Sequence, residues 1–265
     1  MPELPEAEYM VRRLREAAPG VRITKVRVLR ETVAEGALVK GALGGVTSYA
    51  RRAKNVLIHL ETGWTVRIQL GMTGHVYPVG QAGEWPRFTR VAFVLEGGGA
   101  LVFEDARTFG TVSAVRTEHL AEVLAEYGPE PLDAGFRWQD LRAAAWGLRQ
   151  EVKPFLMDQR RVAGLGNIWA AEALFGARIH PARRVDSLGE GEWKALHRSV
   201  RATLRRAIEN TMKVTAGPEE FPEADLLLTR VYGRAGQACR RCGSVVERVV
   251  QAARATFYCP GCQER

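Results

Sequence analysis

The chain has 265 residues, of which 46% are hydrophobic and 26% are charged, so it can form one large or two modest globular domains. Lysine and arginine number 38 against 30 aspartate and glutamate residues, and the formal charge of +8 favours a polyanionic partner. No stretch approaches the roughly 18 uninterrupted apolar residues of a membrane span, so we expect no membrane-spanning helix. The acidic start, Met1 to Glu6, lacks the basic and apolar regions of a secretory signal, so we expect a cytoplasmic protein.

The first half of the chain is predicted to be β-rich after a single helix. Ala7, Val11 and Leu14 recur at helical spacing and predict a helix that ends at about Ala18. Segments of strand character then follow one another without helices between them, which favours an antiparallel sandwich or barrel. These segments are Ile23–Leu29, Val56–Leu60, Trp64–Leu70, Arg90–Leu95 and Leu101–Phe103.

From about residue 117 the pattern changes from strands to helices. Ser187 and Glu190 have the spacing of a capping box that opens the last helix, and Thr215–Glu223 is predicted to be a loop. The predicted helices are His119–Tyr127, Trp138–Leu148, Val152–Val162, Ile168–Phe175 and Gly189–Met212, with Gly128–Pro131 as a linker. The order predicts an α+β protein of three segments: 2–127, 128–228 and a cysteine-bearing tail over 229–265.

The four cysteines form two pairs at metal-ligand spacing. Cys239 and Cys242 are separated by sixteen residues from Cys259 and Cys262, and four thiolates so arranged suit one structural zinc ion. In a reducing compartment we favour zinc over disulfides or free thiols. Seven arginines against two glutamates give the tail from Thr229 onwards a charge of +5, which a zinc bound by four thiolates reduces to about +3. A basic hairpin of this kind suits contact with phosphates.

Pro2 is a candidate nucleophile. A small second residue permits removal of the initiator methionine, which would leave a secondary amine that is roughly one tenth neutral at pH 7. Such an amine can attack a sugar C1′ atom and form an iminium, while Glu3 and Glu6 on the first helical turn shuttle protons and orient the nitrogen. The simpler interpretation is that Pro2 starts the helix and the glutamates complement its dipole. Taken alone, this segment favours the simpler interpretation.

Six further motifs precede the cysteine tail in an ordered series along the chain: Pro2–Glu6, Arg51–Lys54, Leu70–Gly74, Asp105–Gly110, Lys153–Gln159 and Ala163–Trp169. Considered together, and over essentially the whole chain, these motifs resemble those of the formamidopyrimidine-DNA glycosylase and endonuclease VIII family. The resemblance implies an N-terminal antiparallel β-sandwich with an N-terminal helix, a helical helix-two-turns-helix domain and a zinc-ribbon hairpin.

The resemblance also implies an activity: a bifunctional DNA N-glycosylase and AP lyase of base excision repair. By it, Pro2 is the Schiff-base nucleophile, Glu3 the main acid and base, and Glu6 a supporting carboxylate, while Lys54 contacts a phosphate beside the lesion. The implied partner is damaged double-stranded DNA, bound by a monomer in the bacterial cytoplasm at the nucleoid. The implied cofactor is one structural zinc ion.

Further residues match positions that bind DNA in this family. Met72, Arg107 and Phe109 match the side chains that fill the void left by an extruded base, and Asn167 and Arg254 match those that hold the flanking phosphates. Gln69 stands where the family usually has histidine, at a phosphate or structural contact. Without the resemblance, Met72 and Phe109 are interpreted as core residues, Lys54 as a solvated cation and Asn167 as a helix cap.

The preferred lesion stays open between oxidised purines and oxidised pyrimidines. Ala171 and Thr108 replace a usual aspartate and arginine, and Asn210–Arg230 is shorter than in members specialised for oxidised purines.

Two alternatives to an enzyme stay open: a catalytically silent protein that binds damaged DNA, and a plain zinc-ribbon nucleic-acid binder. Borohydride trapping distinguishes them from an enzyme, since neither binder forms a covalent complex with DNA.

Overall fold

The computed structural model describes residues 2–80, 85–220 and 228–265. The chain divides into two compact units. The β-rich unit comprises Met1–Ala125 and Thr211–Pro222, and the helical unit comprises Glu126–Asn210 and Glu223–Arg265. The three segments expected from the sequence are consecutive along the chain. Sequence order alone therefore does not show that Thr211–Pro222 belongs to the β-rich unit. None of the helices in the described ranges combines the length and the apolar composition of a membrane span.

The β-rich unit begins with the predicted helix, α1 (Leu4–Ala17), whose inward face is fully buried. The described part of this unit contains nine strands and the short helices α2 (Leu38–Gly41) and α3 (Leu120–Val123). The strands are β1 (Arg22–Val28), β2 (Ala34–Gly36), β3 (Gly44–Arg52), β4 (Asn55–Leu60), β5 (Trp64–Gln69), β6 (His75–Val79), β7 (Thr89–Leu95), β8 (Ala100–Glu104) and β9 (Thr111–Arg116).

The strands form the predicted sandwich. Their order is β2-β9-β5-β4-β3-β1-β7-β8-β6, and the two halves join through a short pairing of β1 with β3. All pairings among the described strands are antiparallel except that of β2 with β9, which is parallel. Side chains from both halves, such as Ile58 of β4 and Phe93 of β7, enter one hydrophobic core with Met10 and Leu14 of α1. The helix that carries Glu6 is therefore anchored by its apolar face.

The five predicted strands are present, but β2, β3, β6 and β9 were not predicted. Strand β3 starts with two glycines and ends with two arginines, which hides its alternation. Strand β6 contains Pro78, which is tolerated because β6 lies at the edge of the sheet. Long-range pairing, rather than local preference, stabilises these strands.

The helical unit contains four longer helices: α4 (Trp138–Ala144), α5 (Val152–Met157), α6 (Asn167–Ala177) and most of α7 (Glu190–Val214). Helix α6 is buried from Asn167 to Phe175 and is apolar nearly all round, so it is the central helix of this unit. The remaining elements are β10 (Glu247–Gln251) and β11 (Arg254–Tyr258), which form a two-stranded hairpin. Its two-residue turn, Ala252–Ala253, has φ values of 46° and 58°, the left-handed conformation that a type I′ turn requires.

Several helix predictions were wrong in detail. The predicted helix from His119 is a 3-10 turn followed by only the four residues of α3, and α5 ends five residues early because Asp158 leaves the helical conformation. The predicted capping box of Ser187 and Glu190 does not form. Instead, the Glu192 carboxylate accepts the amide of Gly189 at 2.9 Å, so the helix is capped two residues later. The predicted loop Thr215–Glu223 is described only as far as Glu220, and the rest lies outside the described residues.

Candidate active site and nucleic-acid interface

The start of α1 brings Pro2, Glu3 and Glu6 together. Glu6 Oε2 accepts the backbone N–H of Glu3 at 2.8 Å, and the Glu3 carboxylate accepts the backbone N–H of Glu6. Pro2 is buried, and Glu3 and Glu6 are 0% and 1% exposed. Each carboxylate therefore satisfies one of the donors that a helix start leaves without a partner. The arrangement fixes two acidic groups beside the residue that carries the candidate nucleophile.

Lys54 lies in the tight turn of the β3–β4 hairpin and is half-buried. The preceding residue, Ala53, has φ +52°, and its carbonyl oxygen accepts a hydrogen bond from Arg51 at 3.0 Å. Arg51 also contacts Glu8 of α1, with Nε 3.3 Å from Oε2. The turn that carries Lys54 is thus linked through Arg51 to the helix that follows Glu3.

Met72, Arg107 and Phe109 lie on two loops that Asp105 holds together. The Asp105 carboxylate is fully buried and accepts hydrogen bonds from the Thr73 hydroxyl and from the backbone N–H of Arg107 and Gly110. Thr73 belongs to the loop after β5, whereas Arg107 and Gly110 belong to the loop between β8 and β9. One carboxylate therefore fixes the backbones that present all three candidate side chains.

Close backbone approach reinforces this pairing of loops. A Cβ atom on Gly71, which has φ +61°, would lie 2.5 Å from the backbone nitrogen of Gly110, so only glycine fits there. Thr108, between Arg107 and Phe109, also has a positive φ of 56°. This conformation is strained for a β-branched residue, and such strain concentrates at functional sites.

The tip of these loops projects into solvent. Phe109 is 56% exposed, and the Arg107 guanidinium lies 4.8 Å from the centre of its ring. Met72 is half-buried, and Gln69 is exposed and accepts a weak 3.4 Å hydrogen bond from Thr111. The structure therefore places Phe109 outside the core, which excludes the simpler interpretation for this residue. An exposed aromatic ring beside a guanidinium has the chemistry of a wedge that inserts between bases.

In the helical unit, Asn167 lies beside the tip of the zinc hairpin. Its Nδ2 donates to the carbonyl oxygen of Ala255 at 3.0 Å, one residue from Arg254, which is exposed. Lys153 is 1% exposed, and its ammonium donates to both Asn167 Oδ1 and the Thr256 hydroxyl. Gly166 is the N-cap of α6, so Asn167 is its first residue rather than the cap. The helix start and the hairpin are thus held together by one buried cation.

Gln159 shapes the turns that precede α6. Its side-chain amide donates to the carbonyl oxygens of Met157 and Leu165 at 2.9 and 2.7 Å, and its oxygen accepts the N–H of Gly164 at 2.8 Å. Gly164 has φ +84°, a left-handed conformation that glycine adopts more readily than other residues. The helix α5, the two turns and the helix α6 therefore form the helix-two-turns-helix arrangement that the resemblance implies.

The four cysteines form the predicted metal centre. Their sulfur atoms all lie within 4.8 Å of one another, with Cys242 and Cys259 3.4 Å apart and Cys239 and Cys262 4.0 Å apart. These separations suit a tetrahedral zinc with Zn–S bonds of about 2.3 Å and exceed the roughly 2.05 Å of a disulfide. Hydrogen bonds from Ser244 lower the pKa of Cys242 to about 6, which favours its thiolate, whereas burial raises the pKa of Cys259 and Cys262, whose thiolates depend on a bound cation. The centre is closed and structural, and it holds one zinc ion.

Two residues that organise the site were missed by the sequence analysis. Asp105 lies within a matching motif, but its role could not be predicted because its partner Thr73 lies 32 residues away and no local spacing signals the contact. Glu172 is fully buried, and its Oε1 accepts the backbone N–H groups of Arg230, Val231 and Tyr232 at 2.8 to 3.0 Å. A single carboxylate inside the apolar run from Ile168 to Phe175 was the signal for Glu172, since buried charges need partners.

Family models match three parts of the chain. The formamidopyrimidine-DNA glycosylase N-terminal domain matches residues 1–112, the formamidopyrimidine-DNA glycosylase H2TH domain matches 127–216, and the zinc finger found in FPG and IleRS matches 236–265. These matches follow the β-rich, helical and zinc-hairpin parts of the structure in order.

Curated relatives match from end to end. The formamidopyrimidine-DNA glycosylase of Gluconobacter oxydans is 38% identical over 280 residues, and that of Heliobacterium modesticaldum is 36% identical over 281, with 100% of each chain covered. The solved structure of the MutM (Fpg) protein from Thermus thermophilus is 37% identical and superposes with a TM-score of 0.87, covering 99% of this chain and 98% of that one. A Lactococcus lactis FPG mutant bound to Fapy-dG-containing DNA is 27% identical, with a TM-score of 0.91 and both chains covered fully. On these matches, the chain belongs to the formamidopyrimidine-DNA glycosylase family.

Proposed function

We propose that this protein is a bifunctional DNA N-glycosylase and AP lyase of base excision repair, with the nitrogen of Pro2 as nucleophile. The observation that carries the proposal is the pair of buried carboxylates, Glu3 and Glu6, locked by reciprocal hydrogen bonds next to Pro2. Reciprocal capping also occurs at purely structural helix starts. Here both carboxylates are at most 1% exposed and adjoin the residue that carries the candidate nucleophile, a setting that suits proton transfer.

The chemistry follows from these positions. After removal of Met1, the Pro2 nitrogen attacks C1′ of the damaged nucleotide, and the bond from C1′ to the base breaks as Glu3 supplies a proton to the sugar or the base. The bond from C1′ to the ring oxygen O4′ then breaks, O4′ takes up a proton, and an iminium forms between C1′ and the Pro2 nitrogen. The iminium withdraws electrons, so a proton leaves C2′ and the 3′ phosphate is eliminated. A second elimination releases the 5′ phosphate and leaves a gap. Glu6 holds the Glu3 backbone, and Lys54 offers a cation to a phosphate beside the lesion.

DNA binding is proposed to use two sets of residues, one in each unit. In the β-rich unit, Phe109, Arg107 and Met72 would fill the void that the extruded nucleotide leaves in the stack, with Gln69 beside them. In the helical unit, Asn167 and Arg254 would bind the phosphates that flank the lesion. Their support is the exposure of Phe109 and Arg254 and the rigid frames that Asp105 and Lys153 provide.

The proposed substrate is duplex DNA with an oxidised base, and oxidised purines are the favoured class. Support comes from the relatives: they are named formamidopyrimidine-DNA glycosylases, and Lactococcus lactis FPG was solved with Fapy-dG-containing DNA. Another structure of the Lactococcus lactis protein contains an oxidised pyrimidine, which makes pyrimidine lesions the second class. Excision rates on duplexes with 8-oxoguanine, a formamidopyrimidine or an oxidised pyrimidine would rank them, and faster release of the pyrimidine would reverse this preference.

We further infer a monomer that acts at the nucleoid in the bacterial cytoplasm. All candidate residues for chemistry and DNA binding come from one chain, so no second copy is needed. The charge of +8 favours retention on DNA. The functional segments are proposed to be 2–127 for catalysis, 128–228 for DNA binding and 229–265 for the zinc hairpin.

Borohydride trapping on lesion-containing duplex tests the nucleophile. Wild type should form a covalent complex, and Pro2→Gly should abolish it because the pyrrolidine nitrogen is gone. Pro5→Ala, which changes the other proline of the first helical turn, is the matched control and should still be trapped. Glu3→Gln should slow base release by about 10² to 10⁴-fold while DNA binding persists. Undiminished trapping in Pro2→Gly, or tight lesion binding without any trapping in wild type, would refute the proposal.

A further inference from the structure

An exposed pocket in the helical unit lies between the end of α4 and the segment before α7. It has a volume of about 430 Å³, within the range of ligand pockets. Its floor contains Trp193, which is 2% exposed, with Leu188 and Val185 beside it. We name this feature the Trp146 pocket, after the residue at its rim. None of the residues assigned above to chemistry, DNA binding or zinc lines it.

Trp146 is the unusual residue of this pocket, because 87% of its surface is exposed. It follows α4 directly, and its backbone is fixed by a 3.0 Å hydrogen bond from its N–H to the carbonyl oxygen of Ala143. Gly147, with φ +76°, then turns the chain away. A large indole held outward at the mouth of a pocket offers a partner an extensive contact surface.

Two cations at the rim are available to a partner. The side chains of Arg142 and Arg149 line the pocket, and neither has a hydrogen-bond or ion-pair partner within residues 2–80, 85–220 and 228–265. The nearby acids Asp186 and Glu190 pair directly with Arg184 and Lys194, the latter at 2.6 Å. The charges of Arg149 and Arg142 contribute only a smaller, longer-range attraction that also lowers the pKa of Asp186 and of Glu190. The rim therefore carries an excess of about two positive charges around the partly apolar floor formed by Trp193 and Leu188.

We propose that the Trp146 pocket binds a short acidic segment of a partner protein that carries a large apolar side chain. The apolar side chain would enter the cavity against Trp146 and Trp193, and the flanking carboxylates would pair with Arg142 and Arg149. A nucleic acid fits less well, since a concave pocket with Asp186 at its edge can accommodate a single side chain but disfavours a polyanionic backbone.

The test uses a fluorescein-labelled peptide, Asp-Asp-Asp-Leu-Phe, and fluorescence anisotropy with the full-length protein. Wild type should bind it at least tenfold more tightly than it binds the Asp-Asp-Asp-Ala-Ala and Lys-Lys-Lys-Leu-Phe peptides. Trp146→Ala should weaken binding at least fivefold, and the double variant R142E/R149E at least tenfold. The variant R27E/R30E makes the same charge change at two exposed arginines of the β-rich unit and should alter binding less than twofold.

Two outcomes would overturn the proposal. One is equal binding of the peptide by wild type, Trp146→Ala and R142E/R149E. The other is displacement of the peptide by undamaged duplex together with an equal loss of duplex binding in R142E/R149E, which would make the pocket a DNA surface. Base excision by Trp146→Ala should equal that of wild type, so the result is independent of the proposed catalytic function. Unchanged thermal unfolding of each variant confirms that the comparison is between folded proteins.

Discussion

At the scale of single residues, the candidate site depends on buried carboxylates that accept hydrogen bonds from the backbone rather than from solvent. Glu3, Glu6 and Asp105 each accept main-chain N–H groups and are at most 1% exposed. The positions of Glu3 and Glu6 could be predicted because helix-start rules operate over three or four residues. The role of Asp105 could not, since it depends on the approach of a loop that precedes it by about thirty residues.

His75 provides a residue-scale prediction about pH. Burial lowers its pKa to about 4, whereas an unfolded histidine titrates near 6.5. Between these values the unfolded chain takes up a proton that the folded chain does not, so acidification below pH 6.5 destabilises the fold, in total by about 3 kcal/mol as the pH falls to about 4. Urea unfolding of His75→Gln should show a shallower loss of stability than wild type over this window.

His119→Gln is the matched control, because His119 is exposed in the same unit. Burial also lowers the pKa of His59 and His180, so part of the pH dependence should survive in His75→Gln. If His75→Gln and wild type lose stability in parallel on acidification, the assignment to His75 is wrong.

At the scale of elements, those with strong local periodicity could be predicted from the sequence. Helix α1 and strands β4 and β5 were predicted within one or two residues. Strand β6 was missed because its proline opposes strand formation, and it exists because β8 pairs with it along one side. The start of α7 was predicted within one residue, but its capping pair was not, because Ser187 and Glu190 satisfy the spacing rule while Glu192 accepts the amide of Gly189.

Glu172 links α6 to the segment that leads into the zinc hairpin, so its removal should loosen the contact between these two elements. Glu172→Ala should leave three backbone N–H groups without their acceptor and Arg230 without its 3.2 Å partner. Breaking a buried charged pair typically costs about 3–5 kcal/mol. Hydrogen exchange at Arg230, Val231 and Tyr232 should therefore accelerate at least about a hundredfold.

Glu172→Gln keeps one oxygen acceptor and should accelerate exchange less than Glu172→Ala. The exposed Glu209 on α7 supplies the control, and Glu209→Ala should leave exchange at these amides unchanged. Equal protection in Glu172→Ala and wild type would show that the carboxylate does not hold this segment.

At the scale of the whole molecule, the order of β-rich, helical and cysteine-bearing parts could be predicted from the sequence. Composition and cysteine spacing were sufficient for the zinc hairpin, since four ligands at fixed intervals leave few alternatives. The inclusion of Thr211–Pro222 in the β-rich unit could not be predicted. It rests on contacts such as the 2.7 Å hydrogen bond from the Tyr9 hydroxyl to the carbonyl oxygen of Gly217, which joins residues 208 positions apart.

Zinc removal tests the structural role of the metal in DNA binding. Cys242→Ser should lose the single zinc ion and release the hairpin that positions Arg254, because four thiolates and one cation form this small module. DNA affinity should fall at least tenfold, measured by anisotropy with zinc content determined by mass spectrometry. Ser244→Ala, which alters a neighbour of the same thiolate, should keep the metal and bind DNA. Retained affinity in a zinc-free protein would contradict this role.

The most direct test of the account is to locate the covalent bond between protein and DNA. Wild-type protein is trapped on lesion duplex with borohydride, digested with protease and nuclease, and analysed by tandem mass spectrometry. The account predicts a sugar remnant on the nitrogen of Pro2, in a peptide that has lost Met1. A remnant on a lysine such as Lys54, or Met1 still attached in protein that excises bases, would contradict it.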